Sequence, residues 1–310
     1  MFFLSFASSL MLAYTLQVVA DPLPAAPATR RAGVSDVTKM SATDVADLTP
    51  YAHFAHVAYC SPYTVNEWNC ASCLELSDFE VSLAGGDGDD IQFYYVGYWP
   101  TKNTVVVAHQ GTDLTSVEAI DTDANESLKR PDSKLFPGVK SDVQLHSGFA
   151  DEHAKTASII LKEVKSLLSK HGAKSVTLVG HSLGGALSEI ECLFMTLNLP
   201  SNIAIKGVTF GKPRVGNPAW ATFFDSKVPD FQRVNNRLDF VPINPDRQLG
   251  FSHTHGEVHI VSDDDVVRCP GKCDEDDTHD ECTLRSVPDM SSGDPLDHLG
   301  PYNGVLIGYC

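Results

Sequence analysis

The sequence predicts an α/β fold with a mainly parallel central sheet flanked by helices. Three observations carry that expectation. Residues 176–179 (Val-Thr-Leu-Val) form a short, β-branched, uncharged run of the kind a sheet buries on both faces. The run breaks at Gly180-His-Ser182-Leu-Gly184, and residues 186–197 then read as a helix, so strand and helix meet at a G-x-S-x-G turn. Strands also alternate with helices across the middle of the chain, which calls for crossover connections and places ligands at the carboxyl edge of the sheet.

The elements follow in order. Residues 1–20 are apolar and uncharged, and Val18-Val19-Ala20 suits a small-residue cleavage site, so they read as a signal peptide. Their length would also permit an uncleaved anchor. Residues 21–31, rich in Pro and Ala and ending in Arg30-Arg31, read as a pro-segment, which leaves 32–310 as the folded domain. Thr49-Pro50 makes a good N-cap and first helical residue for a helix over 51–60. Strands are expected at 81–83 and 91–99 around the acidic residues 85–90, a solvated hairpin tip rather than a calcium loop. Another buried strand, 104–108, ends in His109-Gln-Gly111-Thr112-Asp113.

Residues 114–134 are polar and acidic, with Leu114, Val117, Ile120, Ala124 and Leu128 at loose helical spacing. They form either a lid segment or a solvated surface helix. Asn125-Glu-Ser127 is a glycosylation sequon. Residues 151–171 make a strong helix with Ile160, Val164, Leu167 and Leu168 inward, ended by Gly172. Further strands are expected at 203–210 and 231–234, and the acidic run 274–277 reads as a solvated loop.

Composition narrows the class. The formal net charge is −17, which argues against nucleic acid or anionic lipid head groups as partners. The length suits one domain with a sizeable core. All eight cysteines follow the leader, as in a secreted, oxidised protein, and spacing alone leaves their pairing open. Cys192, on the helix behind Ser182, reads as a buried free thiol.

Chemistry enters at the turn. Glycines two residues either side of Ser182 let the backbone double back and expose the hydroxyl, and the amides that follow open a helix. A serine hydroxyl is a poor nucleophile until a base takes its proton and a third group orients that base. α/β-hydrolases supply these in the chain order Ser, Asp or Glu, His. Asp239, just past the strand 231–234, fits the acid. The later histidines are 253, 255, 259, 279 and 298, and His298 sits in the loop Asp297-His298-Leu-Gly-Pro-Tyr302, suited to reach over the sheet edge. His253, His255, Glu257 and His259 alternate, which would put them on one strand face. That face is either a metal site or a solvated surface opposite Val258 and Ile260, and its spacing matches no zinc motif. His146 and His181 read as loop supports.

Gly-His-Ser182-Leu-Gly-Gly, His-Gln-Gly-Thr112, Leu145-His-Ser-Gly-Phe149, Asp239-Phe-Val-Pro and Asp-His298 stand in one order over residues 45–310. Together they resemble the fungal class 3 lipases of the Rhizomucor and Thermomyces type. The resemblance implies an α/β-hydrolase fold with a lid segment over the site, Ser182 as nucleophile, His298 as general base and acid, and Asp239 as its orienter. It implies an oxyanion hole made by the Thr112 amide and hydroxyl and the Leu183 amide. It also implies bridges Cys60–Cys310 and Cys70–Cys73; Cys269–Cys282 would be a third, leaving Cys192 and Cys273. Two departures stand out: Gln110 replaces the family's frequent Arg, and the lid segment lacks tryptophan.

The implied function is a secreted triacylglycerol lipase acting on lipid esters, at an oil–water interface, with no cofactor, no metal and no obligate protein partner. The alternatives are a carboxylesterase or feruloyl-type esterase on soluble esters, and an inactive relative that only binds. The last would require a broken triad, and every member is present.

Overall fold

A computed structural model describes residues 37–112, 127–271 and 279–310. They belong to one compact unit, Val34–Cys310. The expected leader, pro-segment, sequon asparagine, most of the lid segment, Cys273 and the acidic run 274–277 lie outside the described residues. No helix among the described residues is long and apolar enough to cross a membrane.

The chain opens with β1 (Thr38–Lys39) and four short helices, α1 (Ala42–Ala46), α2 (Thr49–Val57), α3 (Pro62–Glu67) and α4 (Ala71–Glu75). The strands β2 (Glu80–Gly85), β3 (Tyr94–Trp99) and β4 (Thr104–His109) follow, then the small pair β5 (Leu128–Lys129) and β6 (Leu145–His146). The middle is α5 (Ser147–His171), β7 (Ser175–His181), α6 (Leu183–Asn198), β8 (Ala204–Phe210), α7 (Pro218–Lys227) and β9 (Asp230–Asn236). The chain closes with β10 (Glu257–Ser262), β11 (Asp265–Arg268) and α8 (Thr283–Ser286).

The main sheet runs β1-β11-β10-β9-β8-β7-β4-β3-β2. β4, β7, β8, β9 and β10 are mutually parallel, and antiparallel strands close both sides. The expected mainly parallel sheet is therefore its central part. Parallel strands need cover on both faces, and two cores supply it. One packs α2, Phe79, Tyr95 and Trp99 against Val106, Val179, Val208 and Val234. The other packs α5, α6 and α7 against Val105, Val107, Val176 and Leu178. Odd and even residues of β7 thus face opposite layers, as the period of a strand requires.

Several boundaries depart from expectation. Helix α2 begins at Thr49, with Leu48 as its cap, because Pro50 needs no amide partner at the second position. Helix α5 begins at Ser147, four residues early, because the Nδ1 of His146 accepts from the Phe149 amide and caps it. Leu128 is in a strand paired with His146, so the helical reading of 114–128 does not extend to its end. The hairpin tip is closed locally: the Asp89 and Ile91 amides donate to Asp87 Oδ1. The alternation at His253, His255, Glu257 and His259 does not lie on one strand, since β10 starts only at Glu257.

Candidate active site

Ser182 stands where β7 turns into α6, at the carboxyl edge of the sheet. Its φ of 56° and ψ of −129° are strained for a residue with a Cβ, which costs on the order of 1–3 kcal/mol. The strain is held by hydrogen bonds. The Ser182 amide donates to the Phe210 carbonyl at 2.9 Å, and its own carbonyl accepts from the Gly185 and Ala186 amides. The two motif glycines are needed for space: a Cβ on Gly180 would lie 2.1 Å from the Gly184 carbonyl oxygen, and one on Gly184 2.2 Å from that of His109. The second contact presses the first turn of α6 against the end of β4, and a Cβ on Gly111 would likewise lie 2.5 Å from the His181 carbonyl oxygen and 3.0 Å from Ser182 Cβ.

Asp239 follows β9 and is fully buried. Its Oδ1 accepts from the Val241 amide at 2.9 Å, and its Oδ2 lies 2.9 Å from His298 Nδ1. A carboxylate only accepts, so Nδ1 carries the proton and Nε2 presents a lone pair. The Tyr302 hydroxyl adds a donor 3.3 Å from the same Oδ2. Gly211, in the left-handed region at φ 53°, makes room for this cluster: a Cβ there would stand within 3 Å of Asp239 Oδ2, His298 Nδ1 and the Tyr302 hydroxyl. Ser182 Oγ and His298 Nε2 are both buried and have no hydrogen-bond partner among the described residues. The hydrogen-bonded row of three that the sequence suggested is thus present in its Asp–His half. No hydrogen bond joins Ser182 Oγ to His298 Nε2.

Neighbouring groups are supports. Gln110, the departure from the family pattern, accepts from the Phe93 amide through Oε1, while its own amide donates to the Phe93 carbonyl, so it fastens β4 to the start of β3. His253 Nε2 bonds the Pro242 carbonyl, His255 pairs with Asp225, and His259 bonds the carbonyls of Glu281 and Arg237. Glu257 binds Arg233 and the amide and hydroxyl of Thr283. No two of these four side chains share one of these partners. One His, Cys and carboxylate grouping among the described residues has metal-like spacing, Glu257 with Cys269 and Cys282, but its two sulfurs are joined to each other. The bridges Cys60–Cys310, Cys70–Cys73 and Cys269–Cys282 are all present, and Cys192 is free and buried.

Sequence reasoning passed over Tyr59, Gly211 and Tyr302. Gly211 had a usable signal, since it ends the strand beside the serine turn. Tyr59 and Tyr302 lie in segments whose approach to the site is decided by packing alone.

Against known proteins, a family model described as lipase (class 3) matches residues 106–249. A secreted mono- and diacylglycerol lipase of Malassezia restricta is 30% identical over 222 residues, covering 70% of this chain and 68% of the relative. The chain belongs to the class 3 lipases. A lipase of Rhizopus niveus is 29% identical over 315 residues, 96% of this chain and 74% of its own length. The structure of lipase II from Rhizopus niveus superposes with a TM-score of 0.77 at 25% identity, covering 89% of this chain and all of that one. A solved triacylglycerol lipase, whose catalytic centre is described as a serine protease triad, shares the fold with a TM-score of 0.75 at 24% identity and 89% coverage. The chain is thus a secreted lipase, a carboxylic ester hydrolase of the α/β-hydrolase fold.

Proposed function

We propose that this lipase cleaves acylglycerol esters through Ser182, His298 and Asp239 by way of an acyl-enzyme, with triacylglycerol as its main substrate at an oil–water interface. One observation carries the reading. The buried Asp239–His298 pair leaves an Nε2 lone pair at the same sheet edge where a strained turn holds Ser182 Oγ.

The steps follow from that geometry. His298 Nε2 takes the proton as Ser182 Oγ attacks the ester carbonyl, and Asp239 stabilises the imidazolium that forms. The oxyanion faces the amides of Thr112 and Leu183, with the Thr112 hydroxyl beside them. Leu183 heads α6, where no earlier helical residue takes its amide. One such donor is commonly worth about 3–4 kcal/mol of barrier. His298 then passes the proton to the leaving alkoxide, and water activated by the same base releases the fatty acid.

Relatives named as mono- and diacylglycerol lipases support a second substrate reading, the partial glycerides. Rates on emulsified triolein, diolein and monoolein separate the two. Preference for triolein is expected, and near-zero rate on triolein with turnover of diolein would reverse the substrate assignment. Ser182→Ala should abolish hydrolysis of p-nitrophenyl butyrate in a folded protein. Retained turnover would remove the nucleophile assignment.

A further inference from the structure

His181, the residue before the nucleophile, is buried against two segments far from it in sequence. Strand alternation turns it to the same side as Val179, toward the layer that contains α2 and the C-terminal segment. Its Nε2 lies 2.7 Å from the carbonyl oxygen of His298, and its Nδ1 lies 2.7 Å from the Tyr59 hydroxyl. A carbonyl only accepts, so Nε2 carries a proton. Burial, and then the nearby His298, hold this imidazole well below the usual histidine range, so it is neutral and Nδ1 accepts from the Tyr59 O–H. The ring also rests on that of His298, with centroids 4.4 Å apart at 34°. Tyr59 sits at the seam with the oxyanion stretch, its hydroxyl within 2.2 Å of where a Gly111 Cβ would be.

We propose that His181 is a positioning residue for the base. Its Nε2–H holds the His298 backbone, its ring limits the swing of the His298 imidazole, and Tyr59 fixes the tautomer that makes the bond. This rests on His298 being the base. Asp239 anchors only Nδ1, and a ring pinned at one atom can still tilt about that bond. A catalytic group has to be held to within about 10–20° to act. The carbonyl bond and the ring contact remove that freedom. A neutral partner is also the right one: a second cation at this spacing would oppose the imidazolium that forms during turnover.

The test compares His181→Phe, which keeps an aromatic ring and loses the donor, with His181→Gln, whose amide nitrogen replaces Nε2–H. Tyr59→Phe serves as a third variant. Losing one such bond is worth up to about tenfold in rate. On p-nitrophenyl butyrate, His181→Phe should lower kcat by about that factor with KM within about twofold. The acid limb of kcat/KM should move to lower pH, because a looser Asp239–His298 bond weakens the base. His181→Gln should recover much of kcat, and Tyr59→Phe should fall between. The proposal is overturned if folded His181→Phe, or Tyr59→Phe should the first not fold, keeps wild-type kcat and an unmoved acid limb. It is equally overturned if His181→Gln is as slow as His181→Phe while Tm drops in step, which is packing alone. Ser182→Ala, assayed beside them, reports on the nucleophile independently of either outcome.

Discussion

At the scale of single residues, the site is a set of close approaches that side chains would block or misalign. Asp239 is worth most through the tautomer it imposes: Asp239→Asn can offer an N–H to Nδ1 and so favours the wrong one. A loss of about 10⁴ in kcat with little change in Tm is expected, and pre-steady-state acylation rates would read it directly. Gly184→Ala tests the elbow differently. Its methyl would meet backbone at 2.2 Å, and backbone cannot rotate away. Overpacking of this kind costs about 1–3 kcal/mol, so urea unfolding should show that loss together with loss of turnover. Behind the site, Lys212 Nζ pairs with Glu189 Oε2 at 2.7 Å, both fully buried, and Trp220 Nε1 donates to Glu189 Oε1. Lys212→Met strands a buried carboxylate and should cost about 3–5 kcal/mol, while the double change Glu189→Leu with Lys212→Met should cost much less. A double-mutant cycle in urea checks it.

At the scale of elements, α2 and the C-terminal segment act as one strap over the sheet edge. Cys60 is joined to Cys310 across 250 residues of sequence, and His56 Nδ1 bonds the Leu306 carbonyl at 2.7 Å. The strap carries Tyr59 on one side and Tyr302 on the other, both within reach of the site. A bridge closing so long a loop restricts the unfolded chain strongly, and losing a native one typically costs about 2–5 kcal/mol. Cys60→Ser with Cys310→Ser should lower Tm accordingly by calorimetry and leave the Cys70–Cys73 and Cys269–Cys282 bridges intact by mass mapping. The strap was legible only in part. Cys60 and Cys310 came from family resemblance, because spacing cannot pair cysteines. A helix here was legible from Thr49-Pro50, but its bounds, Thr49–Val57 rather than 51–60, and the cap at Leu48 were not. Leu48 has no side-chain acceptor, so no local signal marked it.

At the scale of the whole molecule, buried histidines held below their ordinary range make stability depend on pH on the acid side. Burial, with His153 nearby, lowers the His109 pKa from 6.5 to about 3, and His253 is pushed down by burial and then by Arg233, Lys212 and Arg214. Between pH 3 and 6.5 the unfolded chain binds a proton at position 109 that the folded chain refuses. The contribution of His109 is therefore complete above about pH 6.5 and is lost as pH drops toward 3, by up to about 1.4 kcal/mol per pH unit. Urea midpoints from pH 7 to 4.5 should decline, and His109→Gln should flatten the slope by about one proton. An unchanged slope would show that His109 is not among the groups responsible.

The sequence by itself determined what depends on neighbours along the chain. A β-branched run, two glycines around a serine and a helix after them give the elbow, and the order Ser, Asp, His proposes its partners. It singled out His298 among five histidines only by the loop around it, and it could not determine which cysteines meet or that His253, His255 and His259 disperse to separate partners. Those outcomes turn on where chain distant in sequence returns to the sheet: 59 residues separate Asp239 from His298, 22 separate Arg237 from His259, and 250 separate Cys60 from Cys310. Only packing on both faces of the sheet decides that return. The same reason hid Tyr59 and His181: their meeting spans 122 residues and is fixed by the layer that α2 lays across β7.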